Sequence, residues 1–214
     1  MTTLSIAVTG ANGGIGRAIC QTLADDGHRL HLVGRQPEAL EALRNSLKNA
    51  AQHHCWQADL SDTASIDSLA DVMLATGVTL DVLINNAGCS QFATLDDSEP
   101  EMLAQMLKVN ALAPMLLSRR LIPTLLRSEH ATLINVGSSF GSIGYPGFSG
   151  YCASKFALRG FTEALQRELA DRDIAIHYLA PRAVATDINS EAVVAMNAEL
   201  GNAVDKPAVV AEAV

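Results

Sequence analysis

Leu4-Ser5-Ile6-Ala7-Val8-Thr9-Gly10-Ala11-Asn12-Gly13-Gly14-Ile15-Gly16 is the stretch that decides the fold of this chain. The apolar run Leu4–Val8 reads as a buried strand. Arg17 to Ala24 carries apolar residues at helical spacing. A glycine-rich turn between strand and helix is the context that a dinucleotide fingerprint requires. Glycine lets the chain turn tightly and lets main chain approach a pyrophosphate, while the helix start offers that anion its free N–H groups. The same residues also suit a plain strand–turn–helix connection with no ligand.

Strand-like runs recur near 4–9, 29–33, 54–57, 80–84, 131–137 and 174–179, with helix-like segments near 14–26, 37–50, 62–76, 100–127 and 149–171. Strict alternation implies right-handed crossovers and an α/β fold. The expectation is one Rossmann-type domain over residues 1–214, a doubly wound parallel sheet with helices on both faces. Ligands of such sheets sit beyond the carboxyl ends of the strands, where strand order reverses.

Composition agrees. Hydrophobic residues make up 49% of the 214 and aromatic residues only 4%, which suits buried parallel strands under helices. The net charge of −8 argues against a nucleic-acid partner, and Arg119, Arg120 and Arg127 read as a solvated helix face. Cys20, Cys55, Cys89 and Cys152 show no paired or metal-like spacing, so no metal is expected. With no recognisable secretory leader and no apolar stretch of membrane-spanning length, a reducing cytoplasm is the expected location and no membrane association is expected.

Tyr151-Cys152-Ala153-Ser154-Lys155 carries the chemistry. On a helix, Tyr151 and Lys155 share a face. An ammonium beside a phenol stabilises the phenolate and draws the Tyr pKa down toward the range an acid/base catalyst needs. Alone the pattern is weak, because Tyr and Lys at this spacing are commonly surface residues.

Taken together, these motifs resemble the short-chain dehydrogenase/reductase family in its compact single-domain branch. Gly10, Gly14 and Gly16 match that branch's glycine spacing. Asn85-Asn86-Ala87-Gly88, Asn110, Ser138 and Tyr151/Lys155 match in order from about residue 4 to 188. Ser138, thirteen residues before Tyr151, fits the family's catalytic serine better than Ser139.

The resemblance implies hydride transfer between NADP(H) and a carbonyl or secondary alcohol. Tyr151 would move the proton and Ser138 would hold the substrate oxygen. Lys155 would lower the Tyr151 pKa and bind the nicotinamide ribose, and Asn110 would keep a main-chain kink and a water that link Lys155 to solvent. It also implies a dinucleotide set of Gly10, Asn12, Gly14, Ile15, Gly16, Arg35, Asp59, Leu60, Asn86, Ala87, Gly88, Tyr151, Lys155, Pro181, Val184 and Thr186. Asn110 read by itself is a mid-helix polar residue bonding locally, and Ser138 a turn cap.

Gly34-Arg35 ends the second strand with no carboxylate until Glu38. A guanidinium there suits a 2′-phosphate, so NADP is preferred over NAD; stacking of Arg35 on adenine without discrimination is the alternative. Asp59 matches a residue that accepts from adenine, or caps the following helix.

The family's usual Pro-Gly is Pro181-Arg182 in this chain, and Arg182 either enters the active-site mouth or faces solvent. Ala208 to Val214 reads as helix, whereas family members continue into a last strand; a truncated chain lacking that strand is the expectation.

Asp187 to Leu200 reads as an amphipathic lid. Phe140, Tyr145, Phe148, Cys89 and Phe92 are candidate pocket residues for a ketone, a 3-oxoacyl chain or a sterol-like ring. No basic patch clearly suits an acidic carrier protein: Arg167 and Arg172 are the candidates, but the charge around them is negative. The family pairs through its long helices, so a homodimer through 100–127 and 149–171 is expected. A catalytically silent NAD(P)-binding regulator or sensor with the same fold is the alternative function.

Overall fold

The computed structural model describes residues 2–214. Strands β1 (Ser5–Thr9), β2 (Arg29–Gly34), β3 (His54–Gln57), β4 (Val82–Asn85), β5 (Thr132–Val136) and β6 (Ala175–Leu179) form one parallel sheet in the order β3-β2-β1-β4-β5-β6. Every residue of β1 and β4 is buried. Helices cover both faces of the sheet, which is why these strands read as apolar runs rather than as alternating patterns.

The helices are α1 (Gly14–Asp25), α2 (Pro37–Ser46), α3 (Thr63–Ala75), α4 (Pro100–Leu107), α5 (Ala113–Leu125), α6 (Ser149–Glu168), α7 (Glu191–Glu199) and α8 (Pro207–Ala211). On one face Ile19 and Cys20 of α1, Leu40 and Leu43 of α2 and Ala211 of α8 pack with Val8, Leu30 and Leu32. On the other, Ile66 and Met73 of α3, Leu117 and Leu121 of α5 and Leu165 of α6 pack with Ala7, Leu83 and Leu133. The doubly wound single-domain architecture expected from the sequence is the one observed.

Two helices differ from expectation. The segment 37–50 stops at Ser46, because Leu47 turns extended and Asn49 takes a left-handed conformation (φ 58) that no helix continues through. The segment 100–127 is not one helix. Between α4 and α5 it opens into a π turn over Lys108–Leu112, closed by the Ala113 N–H donating to the Lys108 carbonyl. Pro114 follows at once and has no N–H for the Asn110 carbonyl, so an α turn would be incomplete there.

Strand order reverses between β1 and β4. The loops leaving their carboxyl ends diverge to opposite sides and leave a crevice above the sheet.

Candidate active site

The floor of the crevice is the turn between β1 and α1. Gly10 has φ +63, and a Cβ there would lie 2.9 Å from the Ala87 Cα; one on Gly16 would lie 2.1 Å from the Gly10 carbonyl oxygen. Glycine is therefore required for the turn to close against the loop after β4. That loop is sewn down by Thr9, whose Oγ1 accepts from the N–H groups of Asn86 and Ala87 at 3.0 Å each, while Asn86 Nδ2 donates to the Thr9 carbonyl at 2.9 Å.

α1 begins at Gly13 with no side-chain cap and no acid in its first turn. By contrast, Asp62 caps α3 by accepting from the N–H groups of Ala64 and Ser65. An uncapped helix start facing a crevice is a place for phosphate, so the residues present fit a dinucleotide.

One cleft of about 840 Å³ takes in all sixteen residues expected to hold the dinucleotide, from Gly10 through Arg35, Asp59 and Asn86 to Thr186. Asp59 is not the cap of α3, as one reading of the sequence had it; Asp62, directly before the helix, is. Asp59 instead closes the turn after β3, accepting from the Ser61 N–H at 2.9 Å and the Ser61 hydroxyl at 2.7 Å. These bonds hold its carboxyl below the ordinary value. Arg35 is exposed at the rim.

Ser138, Tyr151 and Lys155 line the same cleft. Ser138 leaves β5 and caps the short turn Ser139–Gly141, its Oγ accepting from the Phe140 N–H at 3.1 Å. The expected cap is therefore present, on a side chain that also lines the cleft.

Tyr151 and Lys155 share one face of α6, with the Lys155 Nζ 5.7 Å from the centre of the phenol ring. Here the structure departs from expectation. Burial pushes the Tyr151 phenol up to about 12, opposed by its hydrogen bond with Ser138. Burial also brings the Lys155 ammonium down to about 8. Lys155 is 4% exposed and donates to the Val136 carbonyl at 3.0 Å. Its hydrogen bond is to that carbonyl and not to the phenol, and desolvation outweighs any attraction that would lower the Tyr pKa.

Asn110 stands behind this group in the π turn, fully buried. It does not bond locally within its helix. Its Oδ1 accepts from the Cys89 N–H at 2.8 Å, and its Nδ2 donates to the Cys89 carbonyl at 2.8 Å and the Ser154 hydroxyl at 2.9 Å. Asn110 therefore ties the loop after β4 to α6, the helix that carries Tyr151 and Lys155.

Arg182 reaches the cleft wall, yet its guanidinium faces outward and donates twice to Asp205, at 2.7 Å each. Beside this pair, Ala185 N–H donates to the Asp205 carbonyl and Asp205 N–H to the Ala183 carbonyl. The expected lid is helical over α7, with Val193 and Met196 packed against Phe140, Tyr145, Phe148 and Tyr151.

Sequence reasoning missed Tyr178 of β6. Its hydroxyl accepts from the Ser138 N–H and donates to the Ser138 carbonyl, each at 3.3 Å, which braces the serine from below. Ser154, inside the Tyr-x-x-x-Lys motif, was equally unassigned. A polar residue on the buried face of α6 was the only signal for it. Among the described residues no group of His, Cys, Asp and Glu forms a metal site, and no helix is long and apolar enough to cross a membrane. All four cysteines are free thiols.

A model of the short chain dehydrogenase family matches residues 5–197. Dehydrogenase/reductase SDR family member 7B of Mus musculus is 31% identical over 206 residues, covering 94% of this chain and 64% of that protein. The 3-oxoacyl-(acyl-carrier-protein) reductase FabG of Escherichia coli strain K12 is 32% identical over 181 residues, covering 85% of this chain and 73% of that one. A short-chain dehydrogenase from Sphingobium yanoikuyae, solved in complex with NADPH, superposes with a TM-score of 0.84 at 25% identity, over 98% of this chain and 82% of that chain. The chain belongs to the short-chain dehydrogenase family, a class of NAD(P)-dependent oxidoreductases. It spans somewhat under two thirds of the length of the mouse relative.

Proposed function

We propose that the protein reduces a carbonyl compound, or oxidises the matching secondary alcohol, with NADP(H) as cofactor and Tyr151 as the group that exchanges the proton. The observation that carries this reading is the meeting of Ser138, Tyr151 and Lys155 on one wall of a cleft whose floor is the uncapped start of α1. Bound there, NADP(H) supplies the hydride. The α1 amides, Asn86–Gly88 and the Pro181–Thr186 segment are the residues that hold it. Ser138 donates to the substrate oxygen and keeps it beside the phenol. Lys155, with its pKa near 8, holds or yields a proton close to neutral pH, and Asn110 fixes the loop and helix that flank it.

Three observations support NADP over NAD. A Cβ on Gly34 would lie 2.8 Å from Asn12 Oδ1 and 3.1 Å from Leu40 Cδ2, so a ribose-binding carboxylate at the end of β2 would have to displace both side chains. The exposed Arg35 follows it, and the Sphingobium relative is in complex with NADPH. Similarity to the Escherichia coli reductase supports a carbonyl substrate.

Exposed Leu112 beside α5 and Phe156 on α6 support pairing of two copies through these helices, to be read by light scattering. Four free thiols fit a reducing compartment such as the cytoplasm.

The test is NADPH oxidation with a carbonyl panel, set beside NADPH titration. Tyr151→Phe is expected to keep NADPH binding and to lose about 100-fold or more in turnover. Normal turnover by that variant refutes the assignment. A native protein that binds NADPH and turns over no carbonyl is the silent sensor.

A further inference from the structure

Side chains alternate along β6. Ile176 packs with Leu165 on the α6 face of the sheet, and Leu179 packs against the opposite core. A period of two therefore sends Tyr178 to the α6 face as well. Its ring enters a slot that two glycines keep open. A Cβ on Gly137 would lie 2.1 Å from the Tyr178 Cζ, and one on Gly141 would lie 2.1 Å from the Tyr178 hydroxyl oxygen. Ser138 stands between those glycines.

The main chain explains what the phenol does there. The Gly137 N–H donates to the Leu179 carbonyl at 2.7 Å and the Ser139 N–H to the Pro181 carbonyl at 2.9 Å. Ser138 lies between these two bonds and beyond Asn85–Asn135, the last pair of the β4–β5 ladder. It is fully extended, with φ −167 and ψ 158. A residue in that conformation sets its own N–H and carbonyl side by side, and one hydroxyl has both a donor and an acceptor to offer them. The Tyr178 hydroxyl serves both, at 3.3 Å each.

The Ser138 side chain is thereby aimed. Its Oγ accepts from the Phe140 N–H at 3.1 Å, and its hydroxyl serves the Tyr151 phenol. Tyr178 itself does not line the cleft. Any effect it has on the reaction passes through Ser138.

We propose that Tyr178 is a positioning residue of the reaction: its hydroxyl, clasping the Ser138 main chain in the Gly137–Gly141 slot, holds the Ser138 Oγ where it meets both the substrate oxygen and the Tyr151 phenol. This rests on the reductase reading above. Tyr178 exchanges no proton with the substrate; NADPH supplies the hydride and Tyr151 the proton. Both clasping bonds are long, so the effect is modest in size and specific in its route.

Four proteins decide it: native, Tyr178→Phe, Ser138→Ala and the double variant. Phenylalanine keeps the ring in the slot and removes one oxygen. The probes are NADPH with cyclohexanone, acetophenone and ethyl acetoacetate. Tyr178→Phe should lower kcat about three- to tenfold for the fastest of these, with the NADPH dissociation constant unchanged. In the Ser138→Ala background the same change should alter kcat by less than about twofold, because the side chain being aimed is gone. A general loosening of the fold would cost the same factor in both backgrounds. Calorimetry of the same ketones on NADP⁺-loaded protein, which has no hydride to transfer, should give the same pattern in affinity.

Equal losses in both backgrounds, or no loss in Tyr178→Phe, overturn the proposal. If the native protein oxidises no NADPH but ketone affinity shows the coupled pattern, the clasp is supported and the reductase refuted. Turnover with equal losses refutes the clasp alone. A native protein that neither oxidises NADPH nor binds any of the three ketones overturns both.

Discussion

Replacing Lys155 with methionine should make the protein more stable while abolishing its proposed activity. The ammonium is 4% exposed, and burial brings its pKa from 10.5 to about 8. At 1.36 kcal/mol per pKa unit, that difference corresponds to a cost of roughly 3 kcal/mol for keeping the charged form inside the fold. Methionine is close to lysine in length and carries no charge, but it leaves the Val136 carbonyl without its donor, which returns about 1 kcal/mol. The expected net gain at pH 7 is about 2 kcal/mol, or roughly 4–8 °C in Tm for a chain of this size.

The pH dependence follows from the direction of the shift. Below pH 8 both folded and unfolded states carry the proton, and the native protein bears the full cost. Between about 8 and 10.5 the unfolded state binds more protons than the native one, so native stability rises with pH. The gap between the two proteins should therefore close over that window. Urea unfolding at pH 7 and pH 10, followed by the fluorescence of the single tryptophan, Trp56, measures both. A variant less stable at pH 7, or a gap independent of pH, would refute the reasoning.

Arg35→Ala should weaken NADPH binding roughly 10- to 100-fold while leaving NADH nearly unchanged, since a charge-assisted bond is lost only from the phosphorylated ribose. Parallel titrations decide it, and equal weakening of both would assign Arg35 to adenine stacking. Gly16→Ala drives a methyl to 2.1 Å from the Gly10 carbonyl oxygen. Dinucleotide binding should fail, with a stability loss of about 1–3 kcal/mol in thermal melts. Asn110→Leu strips three hydrogen bonds and leaves the Cys89 N–H and carbonyl unmatched. Urea unfolding should show a loss of about 2–5 kcal/mol, and an unchanged midpoint would mean that the loop and α6 do not depend on that side chain.

The sequence revealed those parts of the molecule that local chemistry dictates. Buried strands such as Ile6–Val8 and Leu83–Ile84 announce themselves as apolar runs, and the Gly10/Gly14/Gly16 spacing declares a turn that must pass close to its neighbours. Most of what escaped depended on residues distant in the chain.

Arg182 and Asp205, 23 positions apart, are joined across the whole segment that carries α7. Tyr178 braces Ser138 across 40 positions, and nothing in a strand sequence marks one tyrosine as a brace. The π turn at Asn110 follows from a single missing N–H at Pro114, a signal submerged in a long helical pattern. For the Tyr151–Lys155 pair, spacing gave the shared face. It could not show that burial would pull both groups' pKa values away from the pattern charge attraction alone implies, which depends on how deeply the whole chain packs around them.

The Arg182–Asp205 pair has a bearing on how this architecture can diversify. Because both roots of the flap 187–204 are laced to each other at the edge of the nucleotide half, the flap behaves as an exchangeable cassette. Adding or removing residues between fixed ends changes the closure free energy only with the logarithm of length. New selectivity at the reacting end can thus be installed by rewriting one stretch of chain, with the phosphate-facing glycines and the β1–β4 seam left untouched.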